Sequence, residues 1–202
     1  METPKNEFKT SQVDTEVLIV GAGMTGLTLA CDLLRRGSNF RIIEKLADYF
    51  PGSRGKGLTP RSLEVLDDFG VIDQLMPYGY FHPIIREYDG PTVLKDVDIH
   101  EGIVNTPNTP YASPFWTPQF QVERILREQL AKAGKYVELA TGLTGIEQNE
   151  NRVTATVQKD GQPQQITCLY LVAADGGHSS FGSFLILNSL KGLLEMIPFR
   201  NK

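Results

Sequence analysis

Cysteine is nearly absent: Cys31 and Cys168 are the only two in 202 residues. Two thiols so far apart make neither a disulfide framework nor a metal-ligand spacing, and a reducing compartment such as the cytoplasm fits. Histidine is almost as scarce. His82, His100 and His178 have no cluster of metal-binding residues around them, so no metal site is expected. Positive charge is not in excess either, with 20 Lys and Arg against 24 Asp and Glu and a net charge of -4. That balance argues against nucleic acid and anionic membrane as partners. It still allows an anionic cofactor, which helix ends and backbone amides can hold locally. No apolar run is long enough to span a bilayer. The first residues lack the apolar core of a signal peptide, so 1–15 is expected to be a disordered leader. No Ser/His/Asp arrangement, internal repeat or low-complexity tract stands out, and no residue is singled out as catalytic.

What is present begins with Val17-Leu18-Ile19-Val20, a short apolar run suited to a buried parallel strand. From Met24 the spacing turns helical. Leu27, Ala30, Cys31 and Leu34 share one face, Arg35 and Arg36 fill the last turn, and Gly37 is the expected cap. A second strand over Phe40 to Glu44 completes a βαβ unit. Thr59-Pro60 opens another helix with a capping hydroxyl and a first-turn proline; its stripe is Leu63, Leu66 and Phe69, and Gly70 ends it. Proline then recurs from Pro77 to Pro118, an excursion from the α/β layer that holds strand-like pieces such as Ile84 to Tyr88. Helical spacing resumes at Val122, Ile125, Leu126 and Leu130. Three antiparallel strands are expected from Thr144 to Cys168, turning at Asn149-Glu150-Asn151 and Asp160-Gly161. A further buried strand, Leu169 to Ala174, ends at Asp175-Gly176.

The chemistry starts at Gly21-Ala22-Gly23-Met24-Thr25-Gly26, which follows a strand and opens a helix. Gly21 permits a tight turn, Gly23 lets a pyrophosphate approach the backbone, and Gly26 lets helix and strand pack closely. The helix start, with Met24 and Thr25, offers free N–H groups and a partial positive charge to phosphate. Glu44 lies where an acid would hydrogen-bond an adenosine ribose. This unit alone does not separate FAD from NAD(P).

The stretch from Arg54 to Leu66, RGKGLTPRSLEVL, resembles the segment after the second strand in the flavin-dependent aromatic hydroxylases of the p-hydroxybenzoate and phenol hydroxylase type. The resemblance places Arg54 beside the flavin. It matches Gln121, in QFQVERIL, to a glutamine at a helix start that bonds the ribityl or phosphate region, with Arg124 as a competitor. It matches Asp175 and Gly176, in YLVAADGGHSS, to an Asp-Gly motif near the pyrophosphate that is also linked to NAD(P)H use.

The resemblance covers roughly Glu16 to Ser180 and implies a Rossmann-like α/β FAD-binding domain with an antiparallel three-stranded meander and a partial substrate-domain excursion. The expected partition is 16–80 and 115–182 for the FAD-binding domain, 81–114 for the substrate segment and 183–202 for a divergent tail. The implied activity is NAD(P)H-driven reduction of FAD followed by transfer of one oxygen to a small aromatic or phenolic substrate. The family's arginine after His-Ser has no counterpart here, and most of the substrate domain and a later Gly-Asp segment are not in the sequence. An incomplete form with weak FAD retention is therefore expected. The alternatives are a non-catalytic FAD- or ADP-binding remnant or partner module, and an NAD(P)-dependent dehydrogenase. The long proline-rich excursion argues against the dehydrogenase. Trp116 and the tyrosines are expected to be packing groups.

Overall fold

In chain order the elements are β1 (Thr15–Val20), α1 (Met24–Arg35), β2 (Phe40–Ile43), β3 (Gly57–Leu58), α2 (Pro60–Asp68) and α3 (Ile72–Leu75). They continue with β4 (Ile84–Asp89), β5 (Thr92–Asp98), β6 (Phe115–Trp116), α4 (Gln119–Lys132), β7 (Thr141–Gln148), β8 (Val153–Lys159) and β9 (Gln162–Ala173). This computed structural model describes residues 13–177. The expected leader up to residue 12, His178 to Ser180 and the tail over 183–202 lie outside the described residues. Two compact units divide the chain: 13–26 with 36–48 and 137–177, and 27–35 with 49–136.

The first unit is built on a five-stranded sheet in the order β2-β1-β9-β8-β7. β1 runs parallel to β2, with Val20 opposite Ile43, and parallel to β9, with Val20 opposite Ala173. β8 is antiparallel to both β9 and β7. Leu18, Val20, Ile43, Val153, Ala155, Val157, Ile166 and Cys168 form the core of this unit. Along β8 the buried residues alternate with Thr154 and Thr156, as the two faces of a strand require. The β8–β9 turn uses Asp160 and Gly161, both at positive φ, the conformation that two-residue hairpins favour.

Two expectations need correction here. The three antiparallel strands expected as a meander are part of a mixed five-stranded sheet, as β7, β8 and the first half of β9. The strand expected over Leu169–Ala174 is the second half of β9. No turn residue interrupts the chain near Cys168, so a single twelve-residue strand pairs antiparallel with β8 and then parallel with β1. Nor is that second half wholly buried: Ile166 and Cys168 are buried, whereas Tyr170 is 67% exposed. An apolar run becomes buried only where both sheet faces are covered.

The second unit holds α2, α3 and α4. Thr59 caps α2, its hydroxyl accepting the Ser62 N–H at 3.4 Å, and Pro60 takes the first turn. Leu63 and Leu66 are buried, and Gly70 follows at φ +68°. On α4 the inward residues are Val122, Ile125, Leu126 and Leu130, joined by Glu123. β3 pairs with β6, and β4 pairs with β5 as a separate hairpin whose β4 is exposed throughout. No helix among the described residues is long and apolar enough to cross a membrane.

Candidate functional site

The turn after β1 is shaped by the absence of side chains. Gly21 adopts φ +105°, which L side chains rarely enter, and a Cβ there would strike the Ala174 carbonyl and the Asp175 backbone. A Cβ on Gly26 would strike the Gly21 carbonyl and lie 3.3 Å from the Ile19 side chain. These two glycines therefore set how closely the first turn of α1 can pack on β1. Gly23 and Met24 are half-buried and Thr25 is exposed, so the far side of the turn is accessible. A backbone of this kind, ending in a helix start, suits a dinucleotide diphosphate.

Glu44 follows β2 directly and closes on the same turn. Its carboxylate accepts the Ala22 N–H at 3.0 Å through Oε2 and the Leu46 N–H at 3.1 Å through Oε1. Its backbone is held on both sides, donating to the Glu138 carbonyl at 2.9 Å and accepting from Thr141 at 2.8 Å. Each carboxylate oxygen keeps a lone pair for a further donor such as a ribose hydroxyl. Asp175 and Gly176 arrive from the neighbouring parallel strand. The Ala174 N–H donates to the Val20 carbonyl at 2.7 Å, and Gly176 turns the chain at φ +79°. Three segments that are distant in sequence thus meet at the carboxyl ends of β2, β1 and β9.

In the second unit, Arg54 is exposed and its guanidinium lies over the Phe50 ring at 5.1 Å. Its backbone is held by Gln119, not by Gln121: the Arg54 N–H donates to Gln119 Oε1 at 3.1 Å. In return the Gln119 N–H donates to Ser53 Oγ at 3.0 Å, which caps the start of α4 from another segment. Gln119 Nε2 donates to Glu123 Oε1 at 2.6 Å, and Glu123 is 6% exposed. Gln121 instead accepts from Arg124 Nε at 3.0 Å on its own helix, while the Arg124 guanidinium lies over the Tyr78 ring at 4.9 Å. Gln119, not singled out from the sequence, is thus the glutamine that contacts Arg54. The available signal was its place directly after Pro118 and its i,i+4 spacing to Glu123.

Other reactive groups are quiet. Burial pushes the Cys31 thiol up to about 12 and Cys168 up to about 11, so neither is a thiolate near neutral pH. The Arg41 guanidinium donates to Glu138 at 2.6 and 2.8 Å and holds that carboxyl below its ordinary value, a structural pair on the sheet. No group of His, Cys, Asp and Glu among the described residues could hold a metal ion.

Comparison with known proteins agrees with this geometry. A family model described as an FAD binding domain matches residues 14–199. The chain is 40% identical over 173 residues to a flavin-dependent monooxygenase of Mycobacteroides abscessus, an alignment covering 84% of this chain and 36% of that protein. It is 35% identical over 168 residues to 6-methylpretetramide 4-monooxygenase of Streptomyces rimosus, covering 82% of this chain and 29% of that one. Aklavinone-11 hydroxylase, solved in a ternary complex with FAD and aklavinone, superposes with a TM-score of 0.74 at 28% identity, over 86% of this chain and 35% of that one. The chain spans about a third of the length of the curated relatives it matches. With the match running over nearly all of its residues, the chain belongs to the FAD binding domain family.

Proposed function

We propose that this chain binds FAD and serves an NAD(P)H-driven monooxygenase that hydroxylates a small aromatic or phenolic molecule. The observation that carries the reading is the meeting of the Gly21–Gly26 turn, the Glu44 carboxylate and the Asp175–Gly176 corner at the ends of three adjacent parallel strands. Open α/β sheets bind ligands outside the carboxyl ends of their strands. FAD, when bound, supplies the electron transfer from NAD(P)H and the activation of O₂.

In this reading Gly21, Gly23 and Gly26 bring the backbone to the pyrophosphate, and the amides of Met24 and Thr25 bond it. Glu44 takes the adenosine ribose, and Asp175 with Gly176 lies by the pyrophosphate. Arg54 and Gln121 are proposed for the flavin end on resemblance, and Gln119 competes for the role of Gln121 because it is the glutamine bonded to Arg54. The partition proposed is an FAD-binding part over 16–80 and 115–182 with a substrate-facing segment over 81–114, which includes the separate β4–β5 hairpin. The scarcity of cysteine supports a cytoplasmic location. A dehydrogenase reading loses ground because β2 is followed by helices and hairpins instead of a third parallel βα step.

The test is direct. Calorimetry with ADP and with FAD on the purified chain should show saturable binding. Gly23→Val should weaken both by ~100-fold or more while leaving the circular dichroism unchanged. Equal ADP affinity in that variant would overturn the reading.

A further inference from the structure

Glu44 takes the adenosine ribose in the reading proposed above, yet its own main chain lies one residue past the end of β2. The ladder from β1 stops short of it. Val20 pairs with Ile43, and the Gly21 N–H donates to the Ile43 carbonyl at 2.8 Å. Both main-chain bonds of Glu44 go instead to one irregular segment, 138–141. Its N–H donates to the Glu138 carbonyl at 2.9 Å, and its carbonyl accepts from the Thr141 N–H at 2.8 Å. The direction in which Glu44 leaves the sheet is therefore set by this segment.

Residues 138–141 run beside the end of β2. Glu138 bridges Ile43 in the parallel sense, and its N–H donates to the Ile42 carbonyl at 2.9 Å. The Ala140 N–H donates to the Leu46 carbonyl at 2.9 Å. The chain then bends away at Ala140, which sits at φ +50° in the left-handed region that a Cβ disfavours. Such a backbone persists only where its surroundings hold it. The Glu138 carboxylate supplies the side-chain tie. Arg41 of β2 donates to it through Nε at 2.6 Å and Nη2 at 2.8 Å, a paired geometry that fixes direction as well as distance. Lys159, at the end of β8, approaches the same carboxylate at 3.8 Å. The Arg41 and Glu138 side chains are half-buried, so salt screens this pair less than a pair on the open surface.

The Glu44 carboxylate already accepts from Ala22 and Leu46. A small shift of its main chain would turn the lone pairs left over for a ribose without breaking the turn itself. We propose that Arg41 and Glu138 are positioning residues for nucleotide recognition: their bond holds the 138–141 segment against β2, and that segment aims Glu44 at the ribose hydroxyls. The proposal rests on the nucleotide reading above and extends it to two residues that do not themselves meet the ribose.

The test separates aim from stability. The full chain is titrated calorimetrically with ADP and with 2′,3′-dideoxy-ADP, which lacks both ribose hydroxyls. Wild type should prefer ADP by ~10-fold or more, the worth of a hydrogen bond to a charged group, and Glu44→Gln should reduce that preference. Glu138→Gln and Arg41→Gln should each cut the preference by ~3-fold or more while leaving the dideoxy-ADP affinity unchanged. Arg41→Lys keeps the charge without the paired geometry, so it should lose part of the preference. It is also the variant to read if circular dichroism shows that either glutamine variant has unfolded. A preference that stays at the wild-type value in these variants overturns the proposal, as does an equal loss of affinity for both nucleotides, which makes the pair merely structural. If wild type shows no preference, or Glu44→Gln keeps all of it, the ribose reading itself fails and this proposal fails with it. Intact discrimination in the Arg41 and Glu138 variants beside its loss in Glu44→Gln sinks the proposal alone.

Discussion

The turn at Gly21–Gly26 and the loop at Ser53–Lys56 each hold an irregular segment in one shape, and they do so by opposite means. The first is held by what is missing. At Gly21 and Gly26 the neighbouring backbone occupies the space a Cβ would need. The second is held by added side chains: Ser53 caps the start of α4, and Gln119 returns a bond to the Arg54 N–H. A shape made by exclusion tolerates almost no substitution. A shape made by hydrogen bonds tolerates any residue that keeps the donor or acceptor.

Substitutions should separate the two cases, with the largest effect at the glycine turn. Gly26→Ala forces the Gly21 carbonyl to move and should cost ~3 kcal/mol, read as a lowered urea midpoint together with loss of ADP binding. A stable Gly26→Ala protein with unchanged ADP affinity would remove the contrast. Next comes Glu138, whose carboxylate is bonded by Arg41 on the sheet beside Glu44. Glu138→Ala should cost ~1–2 kcal/mol at neutral pH.

The sign of its pH dependence follows from the depressed carboxyl. The Arg41 hydrogen bond is the first cause of the lowering from 4.5, so this stabilisation is complete above about pH 4.5 and is lost as pH falls through the folded value. Stability followed by circular dichroism should therefore fall in wild type as the pH drops below about 4.5, converging on that of a protein lacking the pair. Glu138→Gln should flatten the stability curve below pH 4.5.

At the loop, Gln119→Leu removes the acceptor for Arg54 and the donor for buried Glu123, and should cost ~1–2 kcal/mol. Gln119→Glu keeps the acceptor but sets a second carboxylate against Glu123, so it should recover less than a neutral hydrogen-bonding residue would. Ser53→Ala should cost ~1 kcal/mol, the usual worth of a helix cap. If Ser53→Ala and Gln119→Leu have no effect on thermal unfolding, the loop is not held as described. The smallest effect is expected at the exposed Arg86–Asp96 pair of the hairpin, where Arg86→Ala should leave the thermal midpoint essentially unchanged despite bond lengths of 2.7 and 2.8 Å.

Much of both units is legible in the order of the residues. The β1–α1–β2 succession, the cap at Thr59 with Pro60, the glycine at 70 and the Asp160–Gly161 turn all follow from short-range rules. Misreading arises where an element's meaning depends on a distant neighbour. β9 reads as two strands because its halves pair with different partners in different senses. The bond between Gln119 and Arg54 joins residues 65 apart in the chain, beyond the reach of local rules.

The amino-acid order by itself determined where the chain must turn and where no side chain fits, since φ preferences, caps and periodicity act over a few residues. The tertiary structure alone decided that Glu44 bonds the Ala22 amide and that Gln119 holds Arg54. Those contacts join residues tens of positions apart. Their geometry exists only after the strands have paired and the helices have packed.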